Sequence, residues 1–467
     1  MNKLYQIIII SFVFFLSPIT GCKKNKKLFS PTLTSIQGTV NANNTDDFGL
    51  QETYAEHIKV DSAGNFSIQI SLSEAGIYSF INDNTPIFFY IQPGDNITAN
   101  LDFIQPDRTT FTGNHALENQ FLQAFNKAKQ NWKSDSIDFI FKLPENDFIK
   151  KIEEKTQYLI DFQQKYQKEK TPFTEIFADL IADEISYDAA IQKMQYPLFY
   201  NYYNPDSTLK LSDTYDTFLQ NIDLNDDQSL LTPSFPEFLS LFLDFSMSFD
   251  TLTPDESAIN RKFMLIADKF TNNKIREFLY YDVMKNNFKN TPDEAAEAMD
   301  AYLKVQNNET FIREIKNLYS IWKPLLKGEK APEWIFKDIH KKDIRLSSFR
   351  GKVVYIDLWA TWCKPCIESI PAFLELQKAF YQKPIEFISI SLDQDRNEWL
   401  KAIKKHKLSG YQLISDKAWD SDIIKDYHIE NIPRYILIDK NGNILNVHAP
   451  RPDDKNIHSI LTEAIIN

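Results

Sequence analysis

The sequence predicts a multidomain chain with an N-terminal antiparallel β-sandwich, an all-α middle region and a C-terminal α/β domain. Three observations predict it. Apolar and polar residues alternate over residues 32–114, apolar residues recur at spacings of three and four from 115 to 327, and the apolar run Val353–Trp359 leads through a cysteine-bearing turn into a helical pattern. A length of 467 residues suggests about three domains, and 43% hydrophobic with 14% aromatic content is ample for packed cores.

At the N-terminus, Lys3 precedes an apolar run from Ile7 to Leu16, a pattern that fits the charged start and short core of a secretory signal. Ile19-Thr20-Gly21-Cys22 resembles a bacterial lipobox. That resemblance implies a signal peptide over 1–21, cleavage before Cys22, and lipidation of Cys22 with membrane attachment; several acyl chains anchor stably where one is marginal. Residues 22–31, rich in lysine, then form the tether. On this reading the rest of the chain lies outside the cytoplasm, in the cell envelope and facing the periplasm.

Between 32 and 114, strands are expected at Ile36–Val40, Phe66–Ile70, Ile77–Ile81 and Ile87–Ile91, with a turn at Gln92-Pro93-Gly94-Asp95-Asn96. The helical region, 115–327, shows stripes such as Phe121, Ala124, Phe125 and Ile312, Ile315, Leu318, Tyr319, Trp322. Prolines 197, 205, 233, 236, 254 and 292 are expected to divide it. The cluster Tyr196, Phe199, Tyr200, Tyr202, Tyr203 is expected to serve core and rim packing rather than docking. Lys327-Gly328-Glu329-Lys330 marks the boundary before the last domain, 328–467.

That domain carries the chemistry. Apart from Cys22, its two cysteines in Trp362-Cys363-Lys364-Pro365-Cys366 are the only ones in the chain. With Cys363 at the first turn of a helix, its sulfur faces unpaired backbone N–H groups and the positive end of the macrodipole, which favour thiolate. Cys366, three residues on, lies on the same face and can close a small disulfide ring. Pro365 is tolerated in a first turn, where its missing donor costs nothing. Burial at the end of a strand would raise the pKa of Asp357 and suit it to move protons for Cys366.

The stretch from Gly351 to Cys366 resembles the thioredoxin superfamily, in particular its membrane-anchored TlpA/ResA-like branch, and so implies a thioredoxin fold. The resemblance extends to Ala331-Pro332-Glu333-Trp334, to Leu346–Lys352, to Pro371 in the active-site helix, and to Tyr427–Asp439, where Pro433 maps onto the family's cis-proline. The front domain resembles the small β-domain of many thioredoxin-like lipoproteins. One position departs: the branch's glutamate three residues after the second cysteine is replaced by Ser369, while Asp357 stands where ordinary thioredoxins keep aspartate. The resemblance implies a thiol-disulfide oxidoreductase in which Cys363 attacks, Cys366 resolves, Trp362 shields the site and the Ile432-Pro433 backbone pairs with substrate. It also implies a disulfide-containing protein as substrate, a membrane reductase as electron donor, and no cofactor.

Competing readings are an adaptor whose β and helical parts grip a partner, a disulfide isomerase or oxidase, and copper handling by the dithiol. A structural zinc site is disfavoured because no second cysteine pair exists and the seven histidines show no paired ligand spacing. The net charge of −12 argues against nucleic acid as a partner.

Overall fold

The computed structural model describes residues 31–466 apart from 44–47, 52–54, 83–84, 133–136, 170–171, 205–206, 249–256 and 416. The expected signal segment, Cys22 and nearly all of the tether lie outside the described residues. Among the described residues no helix is long and apolar enough to cross a membrane. The chain divides into two compact units: one holds residues up to 193 with 198–209 and 231–235, the other 194–197, 210–230 and 236 onward.

Among the described residues the first unit begins with eight strands: β1 (Thr32–Asn41), β2 (Gly49–Gln51), β3 (Ala55–His57), β4 (Asn65–Leu72), β5 (Gly76–Asn82), β6 (Thr85–Ile91), β7 (Asn96–Asp102) and β8 (Thr110–Gly113). They form two four-stranded sheets, ordered β4-β1-β7-β8 and β3-β2-β5-β6. Alternation places Ile36, Phe66, Ile97 and Phe111 of one sheet and Leu50, Phe80 and Phe89 of the other in a single apolar cluster. The expectation of purely antiparallel pairing fails at one ladder, because β1 runs parallel to β7, with Ser35 opposite Asn96 and Asn41 opposite Asp102. Parallel neighbours need a long crossover, and residues 42–95, which build the other sheet and β4, provide it.

Four helices follow, α1 (Ala116–Asn131), α2 (Ile137–Ile140), α3 (Glu145–Glu169) and α4 (Glu175–Tyr203). Ile77 of β5 and Tyr90 of β6 pack among Phe121, Phe125, Phe173, Phe177 and Ile181. Because β6 is an edge strand, Asn119 of α1 serves its open backbone: the Tyr90 N–H donates to Asn119 Oδ1 at 2.6 Å, and Asn119 Nδ2 donates to the Tyr90 carbonyl at 2.9 Å.

Pro197 corrects the sequence expectation, since it sits inside α4 instead of ending a helix. A helix-interior proline costs about 3 kcal/mol; full burial of the adjoining Tyr196 offsets it. Pro233 precedes α5, Pro236 is its second residue and Pro292 opens α8, whereas Pro205 and Pro254 lie outside the described residues. The aromatic cluster divides as expected between core and rim: Tyr196 is buried, the Phe199 and Phe141 rings lie 4.9 Å apart, and Tyr202 is 73% exposed.

The second unit holds α5 (Phe235–Ser248), α6 (Ala258–Lys269), α7 (Asn273–Asn290), α8 (Pro292–Glu297), α9 (Met299–Val305) and α10 (Glu309–Trp322). Phe311, Ile315 and Trp322 form the buried stripe of α10. The α/β part then runs β9 (Ile335–Asp338), β10 (Asp343–Arg345), β11 (Val353–Trp359), α11 (Lys364–Ala379), β12 (Ile385–Ser391), α12 (Arg396–His406), β13 (Tyr411–Ile414), α13 (Asp422–Asp426), β14 (Arg434–Ile438), β15 (Ile444–Asn446) and α14 (Ile457–Ile466). Its seven strands are ordered β10-β9-β13-β12-β11-β14-β15. Every residue of β11 is buried, as an interior strand covered on both faces must be. Strand β11 is parallel to β12 and antiparallel to β14. Gly442, at φ 76°, turns β14 into β15 within the expected Asn441-Gly442-Asn443 segment.

Candidate active site

The strand that carries Asp357 delivers the chain to the dithiol. After Trp359 the backbone turns, and the Cys363 N–H donates to the Ala360 carbonyl at 3.1 Å. Cys363 is the N-cap of α11, and its sulfur accepts the Cys366 N–H at 3.2 Å. A backbone donor at the helix N-terminus thus faces the sulfur, as thiolate stabilisation there requires. Cys363 and Cys366 are joined in a disulfide and are 5% and 3% exposed. They share an apolar cluster with Trp359, Ala360, Trp399, Ala402 and Ile414. Pro365 lies in the first turn of α11 and Pro371 within the helix.

The loop before β14 closes over the sulfur. Ile432-Pro433 is a cis peptide, and the Ile432 carbonyl oxygen lies 3.8 Å from Cys363 Sγ. Trp362 is 59% exposed, and its ring centroid is 6.5 Å from that of Trp419, itself 40% exposed. The structure thus brings Trp362, Cys363, Cys366, Ile432 and Pro433 to one place.

Asp357 is buried opposite Ser389 of β12 and Tyr435 of β14. Burial pushes its carboxyl up to about 7, against the hydrogen bond from Ser389, which pulls it down. Tyr355, two residues earlier on the same strand face, packs with Phe373 of α11 and Tyr435, so Asp357 faces the helix that carries Cys366. Ser369 is buried, donates to the Pro365 carbonyl at 3.0 Å and receives Arg451 Nη2 at 2.6 Å.

Two features escaped the sequence. Asp393, two residues past β12, is 3% exposed and gathers hydrogen bonds from Thr361 and Ser391. Its signal was available, since polar residues at the carboxyl end of an apolar parallel strand occupy the place where α/β sites form. Arg434, directly after the cis-proline, is 9% exposed and sets its Nη1 2.8 Å from His448 Nε2. Trp322 lies against His428 and His448. Burial and the Arg434 charge push His448 down to about 3, so it is a neutral packing residue, and no signal in its local sequence marks it. Among the described residues no group of three or more His, Cys, Asp or Glu side chains is placed to hold a metal ion.

Residues 326–463 match the Redoxin family. A thiol-disulfide oxidoreductase ResA from Bacillus thuringiensis subsp. konkukian is 33% identical over 118 residues, which is 25% of this chain and 66% of that protein. The ResA of Geobacillus kaustophilus is 28% identical over 120 residues, 26% and 67% of the two chains. The chain spans about two thirds of the length of these curated relatives. A crystal structure described as that of a candidate thiol-disulfide oxidoreductase from Bacteroides vulgatus is 39% identical and covers 30% of this chain and 98% of that one, with a TM-score of 0.29. The thioredoxin domain of a second thiol-disulfide oxidoreductase from Bacteroides vulgatus is 27% identical over 30% and 97% of the chains, with a TM-score of 0.28. The C-terminal part of the chain is a thioredoxin-superfamily domain.

Proposed function

We propose that this chain is an extracytoplasmic thiol-disulfide oxidoreductase, anchored through lipidated Cys22, that reduces protein disulfides with Cys363 and Cys366. The observation that carries the reading is the placement of Cys363 Sγ at a helix N-terminus, beside the cis-proline loop. The Cys363 thiolate attacks one sulfur of a substrate disulfide; that bond breaks, and the other substrate sulfur leaves as a thiolate and takes a proton. Asp357 accepts the Cys366 proton, and Cys366 attacks Cys363 Sγ. The second substrate thiolate is released and the Cys363–Cys366 disulfide remains, so two electrons have passed to the substrate. The cis Ile432-Pro433 segment, at the entry to β14, offers backbone groups against which a substrate strand pairs, and Trp362 shelters the mixed disulfide. A membrane reductase then restores the dithiol, because the surroundings outside the cytoplasm favour oxidation. The two N-terminal sheets read as a β-sandwich over 32–114, followed by a helical region over 115–327 and the redox domain over 328–467.

Reduction of insulin with dithiothreitol as donor tests the activity: Cys363→Ser is expected to abolish it with the fold intact, and an equally active variant would remove the nucleophile assignment. Equilibration with glutathione buffers tests the direction. A potential nearer about −270 mV than about −120 mV is expected, and a value more oxidising than about −180 mV would make this an oxidase or isomerase.

A further inference from the structure

The carboxylate of Asp393 is encircled by neutral donors. The Thr361 N–H reaches both of its oxygens at 3.1 Å, the Thr361 hydroxyl donates to Oδ1 at 2.6 Å, and the Ser391 hydroxyl donates to Oδ2 at 2.6 Å. The Asp393 N–H in turn donates to Ser391 Oγ at 3.0 Å. Ser391 is fully buried. Next to it, the Leu392 N–H donates to the Trp359 carbonyl at 2.9 Å, so two consecutive residues after β12 hold the chain that leaves β11. Thr361 stands two positions before Cys363.

Neighbouring charges are engaged elsewhere. Arg396 gives its Nη2 to the carbonyls of Asp338 and Ile339, and its guanidinium lies over the Trp399 ring. Asp395 caps α12. Lys364 meets Glu368 at the surface, and Asp357 is buried in β11. An amide oxygen could accept from Thr361 while its NH2 meets Ser391 Oγ, so holding Thr361 does not by itself need an acid: the carboxylate adds a negative charge on the segment that leads into Cys363. Such a charge opposes thiolate formation, against the helix N-terminus that favours it.

We propose that Asp393 is a positioning residue for the dithiol: it fixes Thr361, and through it Trp362 and Cys363, while its charge restrains the thiolate character of Cys363. This rests on the dithiol being the reactive centre. The test uses the reduced full chain and its variants, following the alkylation rate at Cys363 against pH, with the modified peptide identified by mass, and the turnover of insulin reduction. Asp393→Asn keeps one oxygen to accept from Thr361, turns the other atom into a donor toward Ser391 Oγ and loses the charge: turnover stays within about threefold and the apparent thiol pKa falls by about half a unit or more. Asp393→Ala releases Thr361, and kcat falls about tenfold or more with KM little changed. If Asp393→Ala does not fold, Thr361→Val, which lacks only the hydroxyl bond, takes its place and is expected to lower kcat severalfold without moving the thiol pKa. A titration of Asp393→Asn that superimposes on that of the unaltered protein overturns the proposal. So does a turnover in Asp393→Ala, or its substitute, equal to that of Asp393→Asn. If the unaltered protein reduces no insulin, the functional reading fails while the Cys363 titration still decides the role of Asp393.

Discussion

Two buried carboxyls, one within β11 and one just past the end of the adjacent parallel β12, differ in the kind of their surroundings. Asp357, within β11, has the Ser389 hydrogen bond to set against burial. Asp393, just past β12, is met by three donors, the Thr361 N–H shared between its two oxygens and the Thr361 and Ser391 hydroxyls. Donors offset the cost of burying a charge, and a hydrogen bond to a charged group contributes about 1.5–3 kcal/mol. The richly bonded acid is therefore suited to hold a loop, and the sparsely bonded one to exchange a proton near neutral pH. The lesson is that depth alone does not assign a role to a buried acid; the count and kind of its donors does.

The largest test of this contrast is Asp357→Asn. The folded-state pKa of Asp357 is raised above its usual value of 3.8 to about 7, so the folded protein holds this proton more tightly than the unfolded chain does. Stability linked to Asp357 is then greatest below pH 3.8 and declines as pH rises through about 7, by at most about 4 kcal/mol. The asparagine variant lacks this decline, so in urea unfolding its advantage over the parent grows from pH 4 to pH 8. In turnover the sign is opposite: on the proposed mechanism resolution by Cys366 draws on the ionised carboxylate, so the parent is expected to speed up as pH rises through about 7, and the variant to be slower with a flatter profile. Parallel stability and rate curves for the two proteins would reduce Asp357 to a packing residue and erase its difference from Asp393.

Much of the geometry of the candidate site was legible because its parts are local. Cys363 caps the helix that its own neighbours build, and β11 announces itself as an unbroken apolar run. Pro433 depended on the family resemblance, since nothing in Ile432-Pro433 alone specifies a cis bond. The place of Asp393 at the end of a parallel strand is a signal, but its bond to Thr361, 32 residues away, was not legible, because only the parallel pairing of β11 with β12 brings the two together. The parallel β1–β7 ladder hid for the same reason: alternation tells which face a residue takes, not which strand lies beside it. Pro197 misled because a local helix breaker was overridden by packing around Tyr196.

A smaller effect is expected from Ser389→Ala. Its hydroxyl pulls the Asp357 pKa down, so its loss leaves desolvation less opposed and moves the carboxyl further up. The rise of turnover with pH should shift to higher pH, by about half a unit, with the plateau rate nearly kept. A shift to lower pH, or a lost plateau, would show that Ser389 supports the strand rather than the acid.

The smallest effect belongs to Ser369→Ala, although Ser369 occupies the branch's glutamate position. Its hydroxyl donates to the Pro365 carbonyl, accepts from Arg451 Nη2 and also bonds the Tyr435 hydroxyl. Yet Arg451 is half-exposed and also meets Asp453 through Nε at 3.3 Å, so water can replace the lost acceptor. The cost should be about 1 kcal/mol or less in stability, with turnover within about twofold and an unchanged pH profile. A profile that shifts in Ser369→Ala would mean that the Arg451 guanidinium, held by this hydroxyl together with Tyr435, acts on the titrating group beneath the dithiol. Asp357 would then have a charged neighbour acting on it from a distance, and the contrast with Asp393 would have to be drawn from charge rather than from donor count.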